Sequence, residues 1–164
     1  MIRIIFLIFL CYCHDLTAQI SKDNPLYEEI MMYDSLLFEA GFNNCELDVL
    51  YRITDSSFEF YHDQSGITYG QENFVNGIKN NICSIEYRPL RKLVEESTEI
   101  HLLKNNGVLY GVIQNGEHEF YAVENNEEPY LTGTAMFTHL WIKKADGWIL
   151  RYVLSYNHRT PDEL

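Results

Sequence analysis

Four histidines fall where strand alternation sets them beside aromatic side chains. In the run FEFYHD, His62 shares a face with Phe58 and Phe60, while Glu59, Tyr61 and Asp63 take the other. His118, in QNGEHEF, has the parity of Gln114 and Phe120. His139, in FTHLW, travels with Phe137 and Trp141 opposite Thr138, and His158 ends the last apolar segment. A neutral imidazole near pH 7 both gives and takes a proton, so His62 and His118 are the candidate acid–base groups. Asp34, on an expected helix, is a candidate carboxylate base. Phe58, Phe60, Phe120, Thr138, His139 and His158 are expected to touch a ligand. The same pattern also fits histidines that only satisfy hydrogen bonds in a core. The face that carries His139 stays open, because one bulge reverses the parity of a strand.

Other chemistries find less support. Five histidines lie in residues 20–164, but no pair has the close spacing of zinc motifs, and His118, His139 and His158 would need three strands to converge. No metal and no cofactor is expected. Ser155 lies on an expected strand without a nucleophile-elbow motif, and Cys45 and Cys83 lack a visible activating partner. Spacing leaves those two cysteines either paired or as separate thiols. The acids Glu124, Glu127 and Glu128 read as a solvated loop.

Helices precede strands. Asn24 and Pro25 are a helix start, with Glu28 and Glu29 near its positive end. Leu26, Ile30, Tyr33, Leu37 and Ala40 recur at helical spacing until Gly41, an expected C-terminal stop. A second helix from near Asn44 is expected to bury Leu47, Leu50 and Tyr51. Alternation after Asp55 marks the first strand, and residues 70–80 read as a third helix with Phe74 and Ile78 inward. From Arg91 onward come long strands, with reversals at residues 105–107, 125–129 and 146–147. Helices grouped before a meander give an α+β domain with an antiparallel sheet, and such long strands can cover three helices only by curving.

The chain begins with Arg3 and an apolar run from Ile4 to Tyr12, then Thr17, Ala18 and Gln19. That run is far short of the roughly 20 residues of a membrane span, and the pattern is that of a signal peptide over 1–19 preceding one domain over 20–164. Bulky Leu10 and Tyr12 disfavour lipid attachment at Cys11 or Cys13, so a secreted or periplasmic protein is expected. Hydrophobic residues at 46% suffice for a packed core, and the formal charge of −12 argues against nucleic acid or anionic membrane as partners. The final PDEL lacks the leading basic residue of a retrieval signal and reads as a solvated tail.

The helix with inward aromatics, the strand FEFYHD, the turn into GQENF and the closing hairpin FTHLWIKKADGWILRYVLSYNH together resemble the nuclear-transport-factor-2-like superfamily, over residues 25–158. The likeness is greatest to small exported bacterial domains near the polyketide-cyclase-like branch. It implies a cone-shaped α+β barrel, in which three N-terminal helices pack on a strongly curved sheet around a deep cavity, and a homodimer formed through the outer sheet face. An acidic residue of the ketosteroid-isomerase branch is replaced here by His62. Scytalone-dehydratase-like members are matched at Tyr33 and Asp34, at Tyr51 and at His118, whereas their remaining groups map near Lys92, Met136 and Thr138 and are not recovered. The resemblance thus implies a small hydrophobic molecule bound in an aromatic, histidine-bearing pocket, with Tyr33 and Tyr51 among its ligand contacts, and isomerase-, dehydratase- or cyclase-type proton transfer. The alternative is a non-catalytic dimerisation or protein-interaction module.

Overall fold

The computed structural model describes residues 19–124 and 127–164. The expected signal segment therefore lies, up to Ala18, outside the described residues, as do Asn125 and Asn126 of the loose reversal. Helix α1 spans Pro25–Ser35, with the Asn24 side chain accepting from the Leu26 N–H at 3.0 Å. It runs without interruption into a π-helical stretch, Leu36–Asn43, instead of stopping at Gly41. Gly41 has a different duty there. A Cβ at that position would lie 2.2 Å from Leu50 Cδ2, so the missing side chain lets helix α2, Leu47–Ile53, pack closely. The helical path ends at Cys45, whose φ of 57° turns the chain.

Strand β1, Thr54–His62, and the short β2, Gly66–Tyr69, form a hairpin, and α3 follows over Gln71–Asn81. The strands β3 (Arg88–Asn105), β4 (Val108–Val123), β5 (Tyr130–Lys144) and β6 (Gly147–Arg159) are joined as a meander. Sheet order is β2-β1-β6-β5-β4-β3. The other neighbours pair antiparallel as expected, but β1 and β6 run parallel, so the sheet is mixed and not wholly antiparallel. The long connection between β1 and β6 allows that arrangement, because a parallel neighbour cannot be reached by a tight turn.

Register shifts interrupt every pairing among β3, β4, β5 and β6, and also β1 with β6. Each extra residue bends its strand, and the accumulated bends wrap the sheet over the helices. The core between the layers is built on Ile30, Leu50, Phe58, Ile100, Trp141 and Leu150, all essentially inaccessible. Cys45 and Cys83 form a disulfide that fastens the start of α2 to the end of α3. Among the described residues no helix is long and apolar enough to cross a membrane.

Candidate functional site

A cavity of about 580 Å³ remains between the helices and the concave sheet face. Its apolar wall includes Phe38 and Phe42 from the π-helical stretch, Phe60 from β1, Phe74 from α3 and Phe120 from β4. The wider π turn carries both Phe38 and Phe42 to the cavity and also delivers Asn43 to the edge of β3. There Asn43 pairs with the Arg91 backbone like one more strand residue, accepting from its N–H at 2.8 Å and donating to its carbonyl at 3.0 Å. The histidines His62, His118, His139 and His158, with Ser155, supply polar lining.

The buried end is a closed network. Arg91 donates to both Asp34 oxygens, at 2.7 and 3.2 Å, and its guanidinium lies 3.7 Å over the Phe38 ring. Gln114 Nε2 donates to Asp34 Oδ1 at 3.0 Å, which leaves Gln114 Oε1 to accept from Trp141 Nε1 at 2.9 Å and from His139 Nδ1 at 3.2 Å. Arg91 Nε donates to His118 Nδ1 at 3.4 Å. These donors fix opposite tautomers: His118 carries its proton on Nε2, and His139 on Nδ1. The remaining ring positions, a donor on His118 and an acceptor on His139, have no partner among the described residues. Burial first, then the Arg91 charge, pushes His118 down to about 2 and His139 well below its usual value, so both stay neutral. Burial also lowers Arg91, against the opposing pull of Asp34. Removing either member of that pair would strand a buried charge, at a cost of about 3–5 kcal/mol.

The solvent-facing end is a second cluster. The rings of His62 and His158 stack at 4.2 Å and 16°. His158 Nδ1 is 2.5 Å from Asp63 Oδ1, and His158 Nε2 is 3.3 Å from Ser155 Oγ. His62 Nδ1 accepts from the backbone N–H groups of Gln64 and Ser65 at 3.1 and 3.3 Å. Desolvation and the neighbouring His158 lower His62.

No family model matches the sequence, and no curated protein matches it either. Solved structures do match in shape. A nuclear transport factor 2 (NTF2-like) superfamily protein from Salmonella enterica serovar Typhimurium aligns over 82% of this chain and 89% of its own, at 14% identity and a TM-score of 0.61. Aln2 from a Streptomyces species aligns over 85% and 94%, at 10% identity and 0.66. ActVI-ORFA from Streptomyces coelicolor aligns over 79% and 95%, at 12% and 0.64. The fold is NTF2-like. At such identities the likeness concerns the backbone path, and the NTF2-like cone is where the cavity lies.

Within this NTF2-like frame, the sequence-predicted residues divide. His62, Phe60, His118, Phe120, His139 and His158 line the cavity. Asp34 does not: its carboxylate is held by Arg91 and Gln114, which suits anchoring and not proton abstraction. Tyr33 packs edge-on against Trp141, and Phe58 belongs to the core. Tyr51 is exposed and donates to Glu72, because α2 starts later than expected and turns Val49, Leu50 and Ile53 inward. Thr138 faces outward and donates to Asn115 at 2.8 Å, which puts His139 inside. Lys92 and Met136 are likewise off the buried face, whose occupants at those places are Arg91 and Phe137. Asp63, expected opposite His62, lies past the end of β1, where the turn swings its carboxylate to His158.

Phe38, Arg91, Asp63 and Ser155 as site members were missed. Arg91 gave no signal of its own, because Arg88 and Lys92 on either side make it look like one more solvated cation. The other three depend on a π turn, a strand end and a bulge, which alternation does not record.

Proposed function

We propose that this chain is an exported domain that binds a small aromatic or otherwise apolar molecule carrying a hydroxyl or carbonyl group, and that histidines on the cavity wall handle its proton. The single observation that carries this reading is the roughly 580 Å³ apolar cavity lined by His118 and His139, whose buried Nε2 positions are unpaired and of opposite sense. That volume suits a small organic ligand. A ligand oxygen at His118 would accept its Nε2 proton and a hydroxyl at His139 would donate to its Nε2, and each such hydrogen bond favours a polar ligand over a pure hydrocarbon by about 1 kcal/mol. Export is supported by the N-terminal pattern and by the Cys45–Cys83 disulfide, a bond that persists in oxidising compartments. The fold shared with Aln2 and ActVI-ORFA is compatible with such a pocket.

Calorimetric titration with 1-naphthol tests the reading. Saturable binding is expected, weakened by about fivefold in His118→Ala, which loses one hydrogen bond. Gly77 lines the cavity on α3 with nothing within 4 Å of an added Cβ. Gly77→Phe should therefore block the cavity while leaving the melting temperature unchanged or raised. Absence of saturation up to about 1 mM ligand would remove the proposal.

A second reading, association through the convex sheet face, is favoured by Ile67, Tyr69, Leu154 and Tyr156, which are exposed on β2 and β6, the two strands that flank β1. It is compatible with the first, because the cavity opens on the opposite face.

A further inference from the structure

The cluster at the solvent-facing end has an order that binding alone does not need. Ser155 Oγ, His158 and Asp63 form one hydrogen-bonded line, with steps of 3.3 and 2.5 Å. The second Asp63 oxygen accepts from the His158 backbone N–H at 3.2 Å, so the carboxylate is tied to both ring and main chain of one residue. Although desolvation opposes it, these bonds hold Asp63 below the usual carboxylate range. A charged Asp63 can only accept, which places the imidazole proton on Nδ1 and leaves Nε2 as the base that faces the Ser155 hydroxyl.

Backbone geometry makes this alignment. Ser155 and His158 are three apart and would fall on opposite faces of a regular strand. Asn157, at φ 58°, is the extra residue of a bulge between the pairings Met136↔Tyr156 and Thr134↔Arg159, and it returns His158 to the Ser155 face. A left-handed non-glycine residue costs about 1–3 kcal/mol, so the alignment is held against a local penalty. The stacked His62 ring fixes the plane of His158.

A metal site is the competing use of the same groups, since ligand atoms of His62, Asp63 and His158 lie within 4.8 Å of one another. Two rings stacked at 16° cannot both hold one ion in their planes, and His62 Nδ1 is already occupied by backbone N–H groups. The hydrogen-bonded line favours a nucleophile.

We propose that Ser155 is a nucleophile that takes acyl groups from small esters whose apolar acyl part fills the cavity, a role that rests on the cavity being a small-molecule site. Ser155 Oγ bonds to the ester carbonyl carbon as its proton passes to His158 Nε2. Collapse breaks the carbon–oxygen bond to the alcohol, which leaves with that proton. Water then gives a proton to the same nitrogen, attacks the acyl carbon and releases the acid, which restores the Ser155 hydroxyl. With only 5% of Ser155 exposed, an ester must enter the aromatic cavity to be attacked, and the net charge of −12 selects against anionic esters.

p-Nitrophenyl butyrate supplies the test. Intact-mass and peptide mapping of the full chain should find the butyryl group on Ser155. Ser155→Ala, with an unchanged circular-dichroism spectrum, should release nitrophenolate at least about 100-fold more slowly, the usual contribution of a positioned proton acceptor and its nucleophile. Asp63→Asn should slow release comparably while 1-naphthol affinity is kept, and a chelator should have no effect. Butyryl elsewhere, equal release by Ser155→Ala, or loss of release on chelation would each overturn the proposal. If the wild-type chain binds 1-naphthol but is never acylated, acyl transfer falls and the binding reading stands. If it binds no 1-naphthol either, both fall.

Discussion

Burying an imidazole in neutral form ties stability to pH. Below the ordinary histidine value of 6.5, the unfolded chain takes up protons that His118, until about pH 2, and His139 refuse. Their contribution is therefore complete above that value and is lost as the pH falls, by about 1.4 kcal/mol per pH unit for each ring. Urea midpoints should drop steadily from about pH 7 to about pH 5, and His118→Gln should make the decline shallower by roughly that one-ring slope. A flat midpoint over the range would contradict the neutral tautomers. At this scale the sequence was partly legible. Parity with Phe60 and Phe120 located His62 and His118 beside aromatics, whereas it gave no sign that Asp34 is committed to Arg91, a partner 57 residues away.

Between elements, the disulfide is the strongest single constraint on the helical layer. It closes a segment with a sequence separation of 38, for which chain entropy gives about 3–4 kcal/mol. Cys83→Ser should lower the unfolding free energy by that amount in denaturant titration, with loss of 1-naphthol affinity, because α2, α3 and Ile82 would no longer be fixed at the cavity wall. A loss below about 1 kcal/mol would show that packing alone places them. Helix and strand order were readable because caps, turns and periodicity are local. The π-helical stretch was not, since Gly41 is an ordinary stop signal until Leu50 approaches it in space. Nor was the parallel β1–β6 pairing, a contact between strands separated by most of the domain.

For the whole molecule, the convex face sets the expected assembly. Ile67, Tyr69, Leu154 and Tyr156 leave exposed apolar surface that a second copy would cover. Light scattering at micromolar concentration should give a dimer mass, and Leu154→Lys should give a monomer that still binds 1-naphthol; a wild-type monomer would refute the assembly. The curvature of the sheet was legible from long strands following short helices, because no flat sheet could cover them, whereas the cone came from the family resemblance of the closing hairpin. What the cavity receives was not, since its lining is gathered from helices and strands at positions that local patterns do not link.

The place of β6 in the sheet has a temporal consequence. This last strand sits between β1 and β5, and it is the link that joins the early hairpin to the meander. As the chain emerges from the ribosome, the β1–β2 hairpin therefore has no strand of the meander to pair with until residues 147–159 arrive. Closure of the sheet must wait for β6 to be made, and a nascent chain stopped before Gly147 would hold two unjoined pieces of sheet.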